Sequence, residues 1–419
     1  MPQYYIWTIG CQMNKAESDR IGSYLEQSGY QPTLTAEKAD LIVLNSCVVR
    51  QSAENKVINK LHSLKALKNA NPAVTLAVTG CLVNSESDQL KVLFPYIDYA
   101  FNPGEYPPWL KKTASEQILP QYPSPNTFVP IMQGCNNFCS YCIVPYRRGR
   151  EKSRPIREII TETEELVHRG VKEVTLLGQN VNSYGHDLPD KPDLTDLLTE
   201  LNSIGGLLRI RFLTNHPKDM SSKLIAAIAQ LDKVCEQINL PIQSGDNDIL
   251  RAMKRDYTVE HYRQIITQMR SKIPEIALST DIIVGFPSEN SQQFQQTVNL
   301  LSEIRFDTVH VAAYSPRAGT SAARDFEDNI PLSEKKERLY IIEQLQESIA
   351  RDINKRLLNQ TVEVLVESKH KGKWQGRTRS DKLVFFNNDN NCAGQLVKVK
   401  VIKTSPWSLQ GEVDLHSVN

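Results

Sequence analysis

Cys135, Cys139 and Cys142 stand in the order C-x3-C-x2-C, and three thiolates at that spacing can hold three irons of one cubane cluster. The fourth iron is then left without a nearby protein ligand. Such a vacancy is a site for chemistry. Electron-transfer clusters ordinarily carry four cysteines, and structural zinc wants four ligands from paired knuckles. Here the next histidine along the chain is His168 and the next cysteine is Cys235, so a zinc site would need a remote residue to complete it. Three further cysteines, Cys11, Cys47 and Cys81, lie 36 and 34 residues apart, each directly after a short apolar run at 4–10, 39–46 or 74–80. Any one of them reads as a small buried apolar residue. Three in the same place after three strands read as a site.

The elements that must position these residues follow from the patterning. Runs at 4–10, 39–46 and 74–80, separated by helical stretches at 15–27 and 52–68, predict parallel strands joined by right-handed crossovers. The loops after such strands share one edge, where ligands bind, and the three cysteines would converge there. Farther on, strands are expected at 128–132, 173–177, 209–213, 237–240, 277–284 and 308–314, with helices near 157–168, 194–204, 221–230, 259–271 and 291–304. Six βα units make a partial (β/α)6 TIM-like barrel, and its C-terminal face would carry the polar loops Gly178-Gln179-Asn180, Thr214–Pro217, Gln243-Ser244-Gly245, Gly285–Pro287 and Ser315–Arg317. Three prolines between Leu119 and Thr127 mark a linker. A second break follows the charged helical stretch 332–358, after which β-branched alternation predicts a small C-terminal β-barrel. The fold class is therefore α/β, with domains at 1–126, 127–357 and 358–419.

Over 419 residues, 40% apolar and 23% charged side chains exclude disorder, collagen and coiled coil. Lys+Arg (49) nearly cancels Asp+Glu (48), so no whole-molecule basic field exists and any nucleic-acid contact must be local. The charge is unevenly spread: residues 1–126 carry 11 basic and 11 acidic side chains, whereas 361–410 carry 9 and 4, a net of +5. In that basic stretch Lys369, Lys371, Lys373, Arg377, Arg379 and Lys382 are interleaved with Trp374 and Phe385-Phe386, a composition that suits single-stranded RNA. A second basic run, Arg147, Arg148, Arg150, Lys152 and Arg154, directly follows the cysteine loop and could take phosphate, unless acids such as Glu151 neutralise it. No apolar run approaches the ~20 residues that span a bilayer, and the chain opens without a secretory pattern, so a cytoplasmic protein with no membrane partner is expected.

At the loop 135–154 the chain resembles the radical S-adenosylmethionine enzymes, and as a whole it resembles the methylthiotransferases. The likeness is carried by Gly10–Asn14, Asn45–Arg50 and Thr79–Cys81, by Cys135–Arg154, by Asn215–Met220 and Leu240–Gly245, and by Gly376-Arg377-Thr378, which is similar to the RNA-binding TRAM module. The resemblance implies two 4Fe-4S clusters, one on Cys135, Cys139 and Cys142 that cleaves S-adenosylmethionine to a 5′-deoxyadenosyl radical. The other, on Cys11, Cys47 and Cys81, would present a sulfide that a further S-adenosylmethionine methylates. No catalytic residue beyond the two clusters is implied. Cys235 and Cys392 are left for structural roles.

The branch most resembled acts on C2 of N6-isopentenyladenosine at position 37 of tRNA. Relatives modify threonylcarbamoyl-adenosine or a ribosomal-protein aspartate, and a zinc-containing RNA-binding protein without catalysis is the alternative from another class. By the same analogy Gly178, Gln179, Asn180, Gln243, Ser244, Gly245, Asp281, Ile283 and Gly285 line the cofactor pocket. Arg147, Arg148, Arg150, Arg154, His216, Arg317, Arg377, Arg379 and Lys382 meet RNA. An electron donor such as flavodoxin or ferredoxin and an iron-sulfur carrier would be partners. Two positions depart from the pattern: Asp281 stands where the superfamily has Gly, and Ser288 stands where relatives usually have Gly.

Overall fold

The computed structural model describes residues 1–48, 51–83, 87–110 and 119–413, so Val49 and Arg50 of the family likeness lie outside the described residues. The chain divides into two compact units. One comprises residues 1–122, 128–138 and 142–152; the other comprises 123–127, 139–141 and 153–419.

The first unit is built on β1 (Gln3–Thr8), β2 (Gln31–Pro32), β3 (Leu41–Ser46), β4 (Thr75–Gly80) and β5 (Tyr99–Ala100), in the order β2-β1-β3-β4-β5. Every pairing is parallel. β3 is buried at all six positions, as a central strand covered on both faces must be. Helices α1 (Gln12–Gln27) and α2 (Gln51–Ala70) make the crossovers. Val57, Leu61 and Leu64 of α2 pack on Ile42, Leu44, Leu76 and Val78, while Ile21, Tyr24 and Leu25 of α1 meet Leu41, Val43 and Ala77. Successive residues of a strand face opposite sides, so each face of β3 has its own helix. The two-residue edge strands β2 and β5 carry too little pattern to be expected from sequence.

β6 (Asn126–Pro130) follows the linker, and β7 (Met132–Gln133) pairs with β8 (Lys152–Ser153) at the base of the cysteine loop. In the second unit β9 (Glu173–Leu177) and β10 (Arg209–Phe212) are parallel, as are β11 (Gln237–Asn239), β12 (Ala277–Val284) and β13 (Thr308–Ala313). The six expected barrel strands are all present. They form two three-stranded sheets joined at a single bridge, Ile210 to Val234, beside which the Cys235 amide donates to Ile210 O at 2.9 Å. The long helix Leu332–Lys355 packs against β13 and β12.

The C-terminal module is a closed barrel, β14 (Thr361–His370), β15 (Lys373–Arg377), β16 (Leu383–Asn387), β18 (Leu409–Val413) and β17 (Leu396–Thr404), in that neighbour order. Trp374, Phe386, Val399 and Cys392 fill it. It is held to the start of the α/β strands by buried arginines. Arg209, 1% exposed, donates to Arg377 O at 2.7 Å and to Glu363 Oε1 at 2.9 Å. Arg211 donates to Arg379 O at 2.8 Å, Thr378 O at 2.6 Å and Glu173 Oε1 at 2.9 Å.

Replacing Arg211 with Ala leaves the Glu173 carboxylate buried without its cation, and such a loss costs about 3–5 kcal/mol. The urea midpoint of Arg211→Ala should fall accordingly, whereas Lys371→Ala on the exposed hairpin should leave it unchanged.

Candidate active site

Cys11, Cys47 and Cys81 stand one to three residues beyond the ends of β1, β3 and β4. Gly80 takes φ +91°, and a Cβ there would lie 2.2 Å from Ser46 O; a Cβ on Gly10 would lie 2.9 Å from Cys47 Cβ. Only glycine permits these approaches. Behind them Asn14 Nδ2 donates to Asn45 Oδ1 at 2.8 Å and Ser46 O at 3.0 Å, and its Oδ1 accepts from Cys11 Sγ at 3.3 Å. Buried Arg148 donates from Nε to Cys81 Sγ at 3.3 Å. The hydrogen bond from Cys47, joined by the Arg148 charge, outweighs burial and holds the Cys81 thiol down to about 6. A thiolate is the form that ligates metal. Glu17 Oε2 and Arg148 Nη2 are among the buried polar atoms of this unit without a protein partner, as are Thr79 Oγ1 and Trp109 Nε1. Converging thiol and thiolate sulfur, a guanidinium and orphaned polar atoms fit an anionic iron-sulfur group. Among the described residues no three His, Cys, Asp or Glu side chains are arranged to hold a single metal ion.

The C-x3-C-x2-C loop is built by local contacts. In the first unit the Cys135 amide donates to Gly149 O at 3.2 Å, and Asn136 and Glu151 exchange backbone-to-side-chain bonds at 3.2 and 3.3 Å. Phe138 sits at φ +47° with the Arg150 guanidinium 4.2 Å over its ring. In the second unit the Ser140 amide donates to Met253 O at 2.9 Å and its carbonyl accepts from the Ala322 amide at 2.7 Å. Tyr141 packs on the cluster of Ile249, Met253, Phe286 and Tyr314. Buried Cys139 is therefore clamped, and its sulfur accepts from Arg255 Nη1 at 3.4 Å.

The loops beyond the barrel strands carry unspent acceptors. Asn180 gives its amide to Asp219 at 2.8 Å and Asn215 gives its amide to Asn239 O at 2.8 Å, which assigns the remaining atoms as oxygens. Asn180 Oδ1, Asn215 Oδ1 and Gln243 Oε1 are buried without a protein partner, an acceptor set suited to the amino and hydroxyl donors of a nucleoside-linked amino acid. Asp281 and Ile283 are the two half-buried positions of otherwise buried β12, so they share the face a ligand would cover. Asp281 Oδ2 accepts from Asn239 Nδ2 at 3.1 Å. Gly178, Ser244 and Gly245 are buried, and the Gly245 amide donates to Thr297 Oγ1 at 2.9 Å. Thr214 (φ +70°), Gln243 (+75°) and Ser288 (+65°) are left-handed without being glycine. Strain of this kind gathers at ligand sites. Ser288 thus keeps the glycine conformation, held by its amide on Asn329 Oδ1 at 2.9 Å.

A Radical SAM superfamily model matches residues 129–301, the Uncharacterized protein family UPF0004 matches 3–102 and the TRAM domain matches 355–413. The tRNA-2-methylthio-N(6)-dimethylallyladenosine synthase of Dehalococcoides mccartyi (strain CBDB1) is 56% identical over 413 residues, 99% of each chain. The enzyme so named from Roseiflexus sp. (strain RS-1) is 46% identical over 424 residues, 98% of this chain and 89% of that one. This chain belongs to the tRNA-2-methylthio-N(6)-dimethylallyladenosine synthase family. Its fold is similar to that of the radical S-adenosylmethionine methyltransferase TsrM from Kitasatospora setae, solved with cobalamin and a [4Fe-4S] cluster, at a TM-score of 0.53, 12% identity and 78% coverage of each chain. Membership in the radical superfamily implies a 4Fe-4S cluster and S-adenosylmethionine.

Against this family background, several residues expected to meet RNA have partners inside the protein. Arg148 is buried on Cys81. Arg154 pairs with buried Glu162 at 2.6 Å. Arg377 bonds Asp381 at 3.1 Å, Arg379 bonds Glu236 at 2.7 Å and Lys382 bonds Asp307 at 2.6 Å. Arg317 is buried, and Arg147 is half-buried on the short helix Val144–Arg148. Arg150, Lys369, Lys371 and Lys373 are exposed, with the Lys369 ammonium 4.7 Å over the Trp374 ring. Sequence reasoning missed Arg255, which is far along the chain from any cysteine motif, and Glu17, which follows the Gly10–Asn14 motif but reads as one polar residue of an ordinary helix. Cys235 is buried with its thiol pushed up to about 11, first by burial, and Cys392 lies in the barrel core. Neither is reactive.

His216 is 5% exposed, its Nδ1 accepts the Lys218 amide, and its ring meets Tyr257 edge-on at 5.5 Å. Burial, then the charges of Arg255 and Lys218, lowers its pKa to about 2. The unfolded chain, with the ordinary pKa near 6.5, therefore binds this proton first, so stability present above that pH is lost as pH falls through it. Between pH 7 and 5 the loss from this group is about 2 kcal/mol. His216→Asn keeps an acceptor for Lys218 but cannot titrate, and its urea stability should fall less over that range by about the same amount.

Proposed function

We propose that this chain methylthiolates C2 of N6-isopentenyladenosine at position 37 of tRNA, using two S-adenosylmethionine per product. The observation that carries the reading is the pair of three-cysteine sets, one beyond the ends of three parallel strands and one in a single C-x3-C-x2-C loop, in a chain 56% identical end to end to a synthase of that name. Cys135, Cys139 and Cys142 hold one 4Fe-4S cluster, and Cys11, Cys47 and Cys81 hold a second. When bound, the first supplies the electron that cleaves S-adenosylmethionine to a 5′-deoxyadenosyl radical, and the second supplies the sulfur that is methylated and transferred.

The chain's own residues bind and orient. Asn180 and Gln243 offer carbonyl acceptors to the cofactor's amino group and ribose, Gly178, Gln179, Ser244 and Gly245 line it, and Asp281, Ile283 and Gly285 form its floor. Within the proposed division 1–126, 127–357 and 358–419, the first part handles sulfur, the second makes the radical and the third holds RNA. Arg150 and the hairpin lysines Lys369, Lys371 and Lys373 are exposed cations that meet phosphate, whereas Arg379 and Lys382 hold the module in place and Arg377 pairs with Asp381 inside it. Among the described residues no helix is long and apolar enough to cross a membrane. The reaction runs in the cytoplasm, with an electron donor such as flavodoxin or ferredoxin and an iron-sulfur carrier.

Replacing Cys135, Cys139 and Cys142 with Ala should remove about half the iron and abolish 5′-deoxyadenosine formation. Replacing Cys11, Cys47 and Cys81 should leave 5′-deoxyadenosine formation intact and abolish methylthio product, read by mass spectrometry of tRNA nucleosides. Product at the parent rate from the second variant sinks the two-cluster reading, and product on threonylcarbamoyl-adenosine or a ribosomal protein instead reassigns the substrate.

Replacing Lys369, Lys371 and Lys373 with Ala should weaken tRNA binding and flatten its log-log salt dependence, by up to about one unit per lost phosphate contact. Unchanged affinity and slope would place RNA recognition away from the hairpin.

A further inference from the structure

Arg255 and Arg148 share an unusual setting. Arg255 is 8% exposed and donates to Tyr257 Oη at 2.7 Å, to Pro241 O at 2.9 Å and to Cys139 Sγ at 3.4 Å. Arg148 is equally buried and donates to Cys81 Sγ at 3.3 Å, while its Nη2 finds no protein partner. Among the described residues neither forms an ion pair with a carboxylate. Four other buried cations do: Arg211 has Glu173, Arg338 has Glu289, Lys335 has Asp328 and Arg209 has Glu363. A guanidinium does not lose its proton, and a buried unpaired charge costs several kcal/mol. The hydrogen-bonded sulfur is Cys139 at Arg255 and Cys81 at Arg148, where the buried Glu17 carboxylate adds a weaker attraction.

We propose that each cysteine trio is served by one buried arginine, Arg255 for the set 135/139/142 and Arg148 for the set 11/47/81, whose charge and hydrogen bond to one ligand sulfur raise that cluster's reduction potential. The inference rests on the two-cluster reading above. Adding an electron makes a thiolate-ligated cluster more negative, so a fixed positive charge and a donor on the ligand sulfur stabilise the reduced form more than the oxidised one. The arginines are positioning residues. Tyr257 holds Arg255 by accepting its Nε and by placing its ring 5.0 Å from the guanidinium carbon, and its hydroxyl donates to Ile242 O at 2.8 Å. That bond ties the sulfur contact to the strand end that precedes Gln243.

The test uses the full chain reconstituted with iron and sulfide, one cluster at a time. Arg255→Met and Arg255→Lys are made in the background lacking Cys11, Cys47 and Cys81; Arg148→Met and Arg148→Lys are made in the background lacking Cys135, Cys139 and Cys142. Iron and labile sulfide are counted, and each cluster is titrated by electron paramagnetic resonance. Each Met variant should keep its iron and shift its midpoint to more negative potential. At a fixed poise near the parent midpoint the reduced-to-oxidised ratio should drop roughly tenfold, the size of one charge-assisted hydrogen bond, and Lys should recover part of it. An unchanged midpoint with full iron overturns the proposal and makes the arginine a brace. So does loss of the cluster from both variants, since the side chain is then needed to build the loop. If a parent background holds no cluster, the two-cluster reading has failed before any arginine is changed.

Discussion

Parallel strands have a direction, and in both units the residues that can meet are chosen by it. Cys11, Cys47 and Cys81 come together because β1, β3 and β4 run the same way and each ends just before a cysteine. The orphaned acceptors Asn180, Asn215 and Gln243 follow β9, β10 and β11 at the corresponding ends. Reversing one strand would carry its functional residue to the far edge of the sheet. The opposite ends serve attachment: Glu173 opens β9, Arg209 opens β10, Glu236 precedes β11 and Asp307 precedes β13, and all four bond the C-terminal barrel or the arginine that does.

Buried charge is compensated in two distinct ways. Where the task is attachment, guanidinium meets carbonyl and carboxylate, as Arg211 does with Thr378, Arg379 and Glu173. At the two cysteine sets, guanidinium meets sulfur, at Cys81 and Cys139. Both kinds of contact use the same side chain, and each leaves a buried donor without a protein acceptor, Arg209 Nε at the attachment and Arg148 Nη2 beside Cys81.

The strands were legible because a short apolar run bounded by a polar or glycine-bearing loop has few other readings; the six barrel strands and the three cysteine-bearing ones lie where the pattern puts them. The closed five-stranded barrel was legible from β-branched alternation, though its parallel β16 to β18 contact was not, since register between distant strands has no local signal. The cysteine motifs were legible by spacing. What charge would do was not. Arg379 and Glu236 are 143 residues apart and Lys382 and Asp307 are 75 apart, so a basic cluster that reads as an RNA surface is in part a seam. Arg148 sits in a basic run and faces a sulfur, because burial and not composition decided its partner. Ser288 departs from the expected glycine in side chain and keeps its conformation.

The seam also sets a scale. It lies at the starts of the strands and the acceptor loops lie at their ends, with the five residues of β9 between Glu173 and Leu177. A strand of that length rises about 17 Å. The scaffold is in this sense a ruler: a ligand gripped by the C-terminal barrel that also reaches the loops must be longer than one strand.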